Sequence, residues 1–318
     1  MTKSVNLIQN FTTKSGKPIT FGTGTGTKWQ NLKKSRDVPA LTEELVEALL
    51  LALKLGYNHI DGAEIYTTHE EIAEAVKRSG IAREDLFISS KYNPGFGEIK
   101  SSNATEAIDK ALKELNTEYL DLYLIHAPFF TPEGSNGETV ESAWQRLIDA
   151  KKAGKVRNIG VSNFRVEDLE RTFKVAGSKE FYPKVNQIEF HPYLQNQSKN
   201  IVQFAAENEI LTEAYGPLSP LFRIKKDDVV IEDHPLVSYL PELSKKYGKT
   251  PAQILLRYTY QKGILPVTTS SQEERIKQSL EVYNFELEQA DIDEIDRLGN
   301  LFHFRGFFIP LYEKPESK

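Results

Sequence analysis

The sequence predicts an α/β barrel, eight parallel strands ringed by helices, and three features carry that prediction. Short runs that are almost wholly apolar recur along the 318 residues, each separated from the next by a helical period with capping residues at its ends. Strands without a polar face are buried on both faces, which is the condition of a parallel sheet covered by helices. Eight such strands can be counted, seven mainly apolar and one rich in glycine, and (β/α)8 TIM barrels routinely occupy this length as one domain. The expectation is therefore a single domain over residues 1–318, with an N-terminal hairpin at 1–18, C-terminal helices and a tail at 300–318. A doubly wound open sheet is the alternative, and neither phosphate-loop fingerprint that would mark it is present.

The elements follow in order. Lys14-Ser15-Gly16-Lys17 has the composition of a hairpin turn. In Gly22-Thr23-Gly24-Thr25-Gly26-Thr27 the alternate glycines read as a strand that something approaches closely. It is not a dinucleotide fingerprint, because the third glycine would fall at Thr27 and no helix start is expected after it. Thr42, followed by Glu43 and Glu44, predicts a helix to Leu55 ended by Gly56, and residues 57–61 read as a strand. Thr68 and Glu71 have capping-box spacing for a helix to about Arg78, with Gly80 beyond. A strand over 86–90 ends at Lys91, Asn103 with Glu106 caps a helix to Leu115, and the strand over 119–125 closes on His126. Helices over 139–153 and 166–175 alternate with strands over 156–161 and 184–188. Ser198 predicts a helix to Glu207, and a strand over 210–215 runs into Gly216-Pro217. Beyond a loop around Asp227, Pro241 is placed to divide a helical segment, and Thr250-Pro251 opens a helix through Gln261. A strand over 264–267 and helices over 271–280 and 288–298 complete the set.

Composition narrows the function classes. The chain is 39% hydrophobic and 27% charged, as a globular protein with a sizeable core is, and no run approaches the roughly 20 apolar residues that cross a bilayer. With no cysteine there is no disulfide, thiol catalysis or thiolate metal site, and with no secretory h-region a cytoplasmic location is expected. A net charge of −5 with interspersed signs argues against nucleic acid as partner. His59, His126 and His191 show no metal-binding spacing, so no metal is expected, while His69 and His234 read as surface residues. The acidic helix near the end reads as a solvated face with Ile292, Ile295 and Leu298 on its buried side. The aromatic tail carrying Phe302, Phe304, Phe307 and Phe308 either covers the mouth of a pocket or packs on the barrel's side.

In a barrel the carboxyl ends of the strands converge on one site. Those ends carry Asp61, Lys91, His126, Ser162 with Asn163, Gln187, Tyr215 and the run Thr268-Thr269-Ser270-Ser271, with Tyr66 just after the first. Strand ends are also polar simply because they meet water, but Asp, Lys and His closing three consecutive strands suggest chemistry. A tyrosine titrating near ~10 is a poor acid unless its anion is stabilised. A buried Lys91 ammonium supplies that stabilisation, Asp61 keeps Lys91 charged, and His126 orients a carbonyl. The set suits proton delivery to an oxyanion as hydride reaches its carbon.

From about Ile19 to Asn300 the chain resembles the aldo-keto reductases, in Gly56-Tyr57-Asn58-His59-Ile60-Asp61, Leu122-Tyr123-Leu124-Ile125-His126-Ala127-Pro128, Ile159-Gly160-Val161-Ser162-Asn163-Phe164 and Val185-Asn186-Gln187-Ile188-Glu189-Phe190-His191-Pro192-Tyr193. The resemblance implies NADPH bound without a Rossmann fold and a catalytic tetrad of Asp61, Tyr66, Lys91 and His126. It places Gly26, Thr27 and Asp61 near the nicotinamide ribose, and Ser162, Asn163 and Gln187 on the carboxamide. Tyr215 stacks on the nicotinamide, Gly216, Pro217, Leu218 and Ser219 pass the pyrophosphate, and Ser270, Ser271 and Arg275 take the 2′-phosphate. Lys28, Trp29, Ala127 and Phe129 are expected around the substrate, a small carbonyl compound, in a monomeric enzyme. The lysine common after the last strand is missing behind Pro266, Ala127 replaces a bulky aromatic, and Gly62 replaces a hydroxyl or thiol residue. In these departures the chain is similar to the fungal branch that reduces α-keto amides, conjugated polyketones and ketopantoyl lactone. A nucleotide-binding redox sensor on the same barrel is the alternative function.

Overall fold

In the computed structural model, β1 (Gly22–Gly24), β2 (His59–Asp61), β3 (Phe87–Tyr92), β4 (Leu120–Ile125), β5 (Val156–Ser162), β6 (Val185–Glu189), β7 (Leu211–Tyr215) and β8 (Leu265–Thr268) form a closed parallel barrel in chain order. The ring closes where Gly22 and Thr23 of β1 pair with Val267 and Thr268 of β8. The structure describes residues 7–34, 41–97, 100–224 and 235–312. The loop expected around Asp227, and His234 with it, lie outside the described residues.

Period-two alternation explains both the core and the site. Side chains of successive strand residues point to opposite faces. Phe87, Leu122, Leu124, Val185, Leu211 and Leu265 point inward and pack on one another with Phe21 and Ile8 of the N-terminal segment. Ile88, Tyr123, Ile125, Ile159, Val161 and Ile188, on the other phase, meet the helices. Each such fully buried aliphatic or aromatic side chain contributes about 1.5–3 kcal/mol relative to exposure. Asp61, Lys91, Gln187, Glu213 and Tyr215 share the inward phase of their strands, so they project into the barrel near its carboxyl end. The N-terminal segment folds back through a single antiparallel bridge, Thr12 to Pro18, in the expected hairpin.

Helix starts follow the expected chemistry at Asn103 and Thr250, whose side chains accept from the backbone N–H three residues on, and Thr139 caps its helix in the same way. Elsewhere tertiary partners win. Thr68 donates instead to Thr25 Oγ1 at 2.9 Å, and its expected box partner Glu71 accepts from Lys33 and from the backbone of Thr42. Asn200 rather than Ser198 precedes the helix Ile201–Glu207. The helix Pro235–Tyr247 continues through Pro241, because Leu236, Leu240 and Leu243 are all buried along one face and hold it. A helix, Lys28–Lys34, does follow the glycine-rich strand, correcting the sequence expectation. It has no acidic first turn, and the burial of Trp29 (2% exposed) supplies what local propensity lacks. The acidic helix Gln289–Gly299 buries Ile292, Ile295 and Leu298 as expected. No helix among the described residues is long and apolar enough to cross a membrane.

Candidate active site

The site is built around an ion pair at the ends of β2 and β3. Lys91 is fully buried, and its ammonium donates to both oxygens of Asp61 at 2.7 Å and to the Gly62 carbonyl at 2.8 Å. Asp61 Oδ1 also accepts from Ser89 Oγ at 2.9 Å and from Gln187 Nε2 at 3.1 Å. Burial is the largest single effect and works against the charge on Lys91, but the Asp61 carboxylate together with Tyr66 and Glu213 outweighs it, and Lys91 is held above its ordinary pKa. The pair is thus a fixed dipole with its positive end toward Tyr66.

Tyr66 reaches this pair from the short 3-10 turn Glu64–Tyr66 that follows β2. Its ring lies 5.2 Å from the Lys91 ammonium, and its hydroxyl is 3.5 Å from His126 Nε2. Gly26 lies against the ring face, where a Cβ would stand 2.8 Å from Tyr66 Cζ. Burial pushes the phenol above its ordinary pKa, and Lys91 pulls against that shift without reversing it. The lysine effect expected from the sequence is therefore present but is smaller than the cost of burying the anion. Burial, followed by the Lys91 charge, holds His126 well below the ordinary histidine range, so the imidazole is neutral. A neutral imidazole beside a buried phenol and a fixed ammonium can bind a carbonyl oxygen and supply a proton to it as negative charge develops.

These groups open onto a cleft of about 810 Å³ that extends from Tyr66 and His126 past Tyr215 to Arg275. Gly26, Thr27, Asp61, Ser162, Asn163, Gln187, Tyr215, Gly216, Pro217, Leu218, Ser219, Ser270 and Arg275 all line it. Asn163, in the left-handed region at φ 61°, donates from its amide to the His126 carbonyl (2.9 Å) and to Ser162 Oγ (3.0 Å). Its Oδ1 accepts from the Tyr215 hydroxyl at 2.7 Å and from Gln197 Nε2 at 2.9 Å, which ties the rim into one network. Ser219 Oγ is buried in the wall with no partner among the described residues, and Arg275 is exposed with its guanidinium 5.9 Å from the Phe222 ring. A cleft of this length, with a spare hydroxyl in its wall and an exposed guanidinium at its end, fits a dinucleotide carrying phosphates.

Five expected residues stand apart from the cleft lining. Ser271 takes a hydrogen bond from Lys28 Nζ at 3.1 Å outside it. Trp29 faces the core and donates from Nε1 to Thr269 Oγ1 at 3.0 Å. Ala127 is fully buried behind β4, and Phe129 packs on Phe308 and Tyr312. The walls beside Tyr66 and His126 are instead Ile65, Phe96 and Phe308, with Phe96 edge-on to His126 at 5.2 Å. Phe96 sits in a glycine-flanked loop that sequence patterning does not single out. The tail covers the mouth: Gly306 and Phe307 donate their backbone N–H groups to Glu189, and the Tyr312 hydroxyl donates to the Asn163 carbonyl. His69, read from the sequence as a surface residue, is 3% exposed, between Ser90 Oγ (2.8 Å) and Glu114 (2.9 Å).

Comparison with known proteins agrees with this geometry. The family model described as Aldo/keto reductase family matches residues 18–300. The NADPH-dependent alpha-keto amide reductase of Saccharomyces cerevisiae is 44% identical over 295 residues, covering 92% of this chain and 91% of that protein. The NAD/NADP-dependent indole-3-acetaldehyde reductase of Schizosaccharomyces pombe is 38% identical, over 84% of this chain and 88% of that protein. Among solved structures, the Bombyx mori aldo-keto reductase in complex with NADP superposes with a TM-score of 0.73 at 29% identity, covering 91% and 92% of the two chains. A family match across most of the chain, relatives of this identity and a closed barrel with polar strand ends have one reading: the chain belongs to the aldo/keto reductase family of oxidoreductases, which act on carbonyl and CH–OH groups.

Proposed function

We propose that this protein is an NADPH-dependent carbonyl reductase for activated ketones and aldehydes such as α-dicarbonyl compounds, with Tyr66 as proton donor. The observation that carries the reading is the Tyr66 hydroxyl at the cleft wall, beside a neutral His126 and a Lys91 ammonium locked to Asp61. The cofactor, when bound, supplies the hydride. Tyr66 gives its proton to the carbonyl oxygen, and Lys91 compensates the tyrosinate this leaves. Asp61 keeps the lysine charged, while His126 holds the same oxygen without adding a charge that would compete with Lys91.

Ser162, Asn163 and Gln187 are the groups available to a carboxamide, Tyr215 to the nicotinamide face, and Ser219, Ser270 and Arg275 to phosphate. The walls nearest Tyr66 are apolar and aromatic, which favours an uncharged substrate whose carbonyl is activated by its own neighbouring group. The name of the yeast relative supports that class. The test is steady-state oxidation of NADPH and of NADH with an α-keto amide, a cyclic diketone and a simple aldehyde. Many turnovers per site with NADPH and the dicarbonyls support the reading. Tight NADPH binding with no turnover on any of them would overturn it.

A further inference from the structure

Beneath the proposed tetrad lies a second buried carboxylate that the proton-transfer scheme does not use. Glu213 sits on β7, fully buried, directly across the sheet from Gln187 on β6. The Gln187 amide bridges the two acids: Nε2 donates to Glu213 Oε2 at 2.9 Å and to Asp61 Oδ1 at 3.1 Å. Both N–H groups of that amide are therefore committed to carboxylate oxygens. Gln187 lines the cleft, and the polar atom it has left to offer there is its carbonyl oxygen. Reversing the amide would turn that oxygen onto carboxylate oxygens, so the chemistry of the two acids sets which way round it sits. The other Glu213 oxygen, Oε1, is buried without a hydrogen-bond partner among the described residues. A desolvated acid in this state is costly unless the position serves a purpose.

We propose that Glu213 is a positioning residue, which locks Gln187 as a pure acceptor at the nicotinamide end of the cleft. This rests on the carbonyl-reductase reading above. The charged groups that reach Glu213 are Asp61 from β2 and Lys91 from β3, and Leu265, beside it in register on β8, carries no charge. Burial and then the Asp61 charge raise the Glu213 carboxyl to about 7, and Glu213 in turn is one of the groups that raise Lys91. An acceptor at Gln187 selects a ligand edge that donates, as a carboxamide NH2 does.

Two substitutions test the hydrogen bond. Glu213→Leu removes it, leaving the Gln187 amide free to turn, and should weaken NADPH binding by about tenfold or more, the size of losing a hydrogen bond to a charged group. Glu213→Gln keeps a carbonyl for Gln187 to donate to, so NADPH affinity should stay within about threefold of wild type. Affinity is read by quenching of protein fluorescence, independently of turnover. Wild-type affinity in Glu213→Leu, or a loss there that Glu213→Gln fails to restore, overturns the hydrogen-bond role. If the leucine variant does not fold, Glu213→Met carries the same test: wild-type NADPH affinity there overturns the proposal. A wild-type protein that neither binds nor oxidises NADPH would instead refute the reductase reading, which keeps the two failures distinct.

Discussion

Replacing Gly26 by alanine should disable the site by displacing Tyr66 alone. An alanine Cβ would lie 2.8, 2.9 and 3.0 Å from Cζ, Cε2 and Cε1 of the Tyr66 ring. Ordinary carbon contacts are about 3.5–4.0 Å, so the ring must retreat by roughly 0.7–1 Å. The backbone at Gly26 lies outside the left-handed region, so alanine is strained by the ring and not by its own conformation. Moving a reacting group by about 1 Å costs on the order of 10²-fold in rate, while overpacking of this kind costs about 1–3 kcal/mol of stability and leaves the fold intact. The assay is kcat for NADPH oxidation with an α-keto amide, beside thermal melts and the double variant with Tyr66→Phe. Gly26→Ala should lose 10²-fold in kcat to within about an order of magnitude, and should cost almost nothing further once Tyr66 is already phenylalanine. A kcat within twofold of wild type, or full additivity in the double variant, would refute the argument.

Two further outcomes follow from burial and charge. His59 is fully buried with neither ring nitrogen hydrogen-bonded to a described residue, and burial depresses it to about 4. Its folded value lies below its unfolded value of about 6.5, so its contribution to stability is complete above that pH and is lost as pH falls toward 4; chemical denaturation should show a loss of about 2 kcal/mol from this residue between pH 7 and pH 5, absent in His59→Leu. Arg275→Ala should weaken NADPH by about 10–100-fold, as removal of a charged hydrogen-bonding group from a phosphate does, and leave NADH affinity nearly unchanged; equal losses for both nucleotides in fluorescence titrations would place the 2′-phosphate elsewhere.

What could be read from the sequence depended on whether a residue's partners are fixed by its own element. Asp61, Lys91, Gln187 and Tyr215 were legible because each lies on the inward phase near the carboxyl end of its strand, and those ends converge by geometry in a barrel. The capping residues Asn103 and Thr250 were legible because a cap answers to a backbone three residues away. Thr68 and Ser198 show the limit of that rule. Thr68 spends its hydroxyl on Thr25, which is brought to it only when β1 and β2 pair. His69 was misplaced for the same reason, since Ser90 and Glu114 come to it from other elements. Trp29 was expected at the substrate through the family resemblance, yet the helix Lys28–Lys34 turns its indole into the core. Phe96 and Phe308, which stand where Trp29 and Phe129 were expected, come from a loop and a tail whose docking rests on Glu189, and no local pattern encodes such a contact.

The most direct test of the central claim is single-turnover hydride transfer, followed by the loss of NADPH absorbance after rapid mixing of the preformed NADPH complex with an α-keto amide. Tyr66→Phe should bind NADPH within about threefold of wild type, because the hydroxyl contributes to chemistry and not to the length of the cleft, and should transfer hydride slower by about 10²–10⁴-fold. A Tyr66→Phe protein that transfers hydride at the wild-type rate would contradict the assignment of Tyr66 as the proton donor.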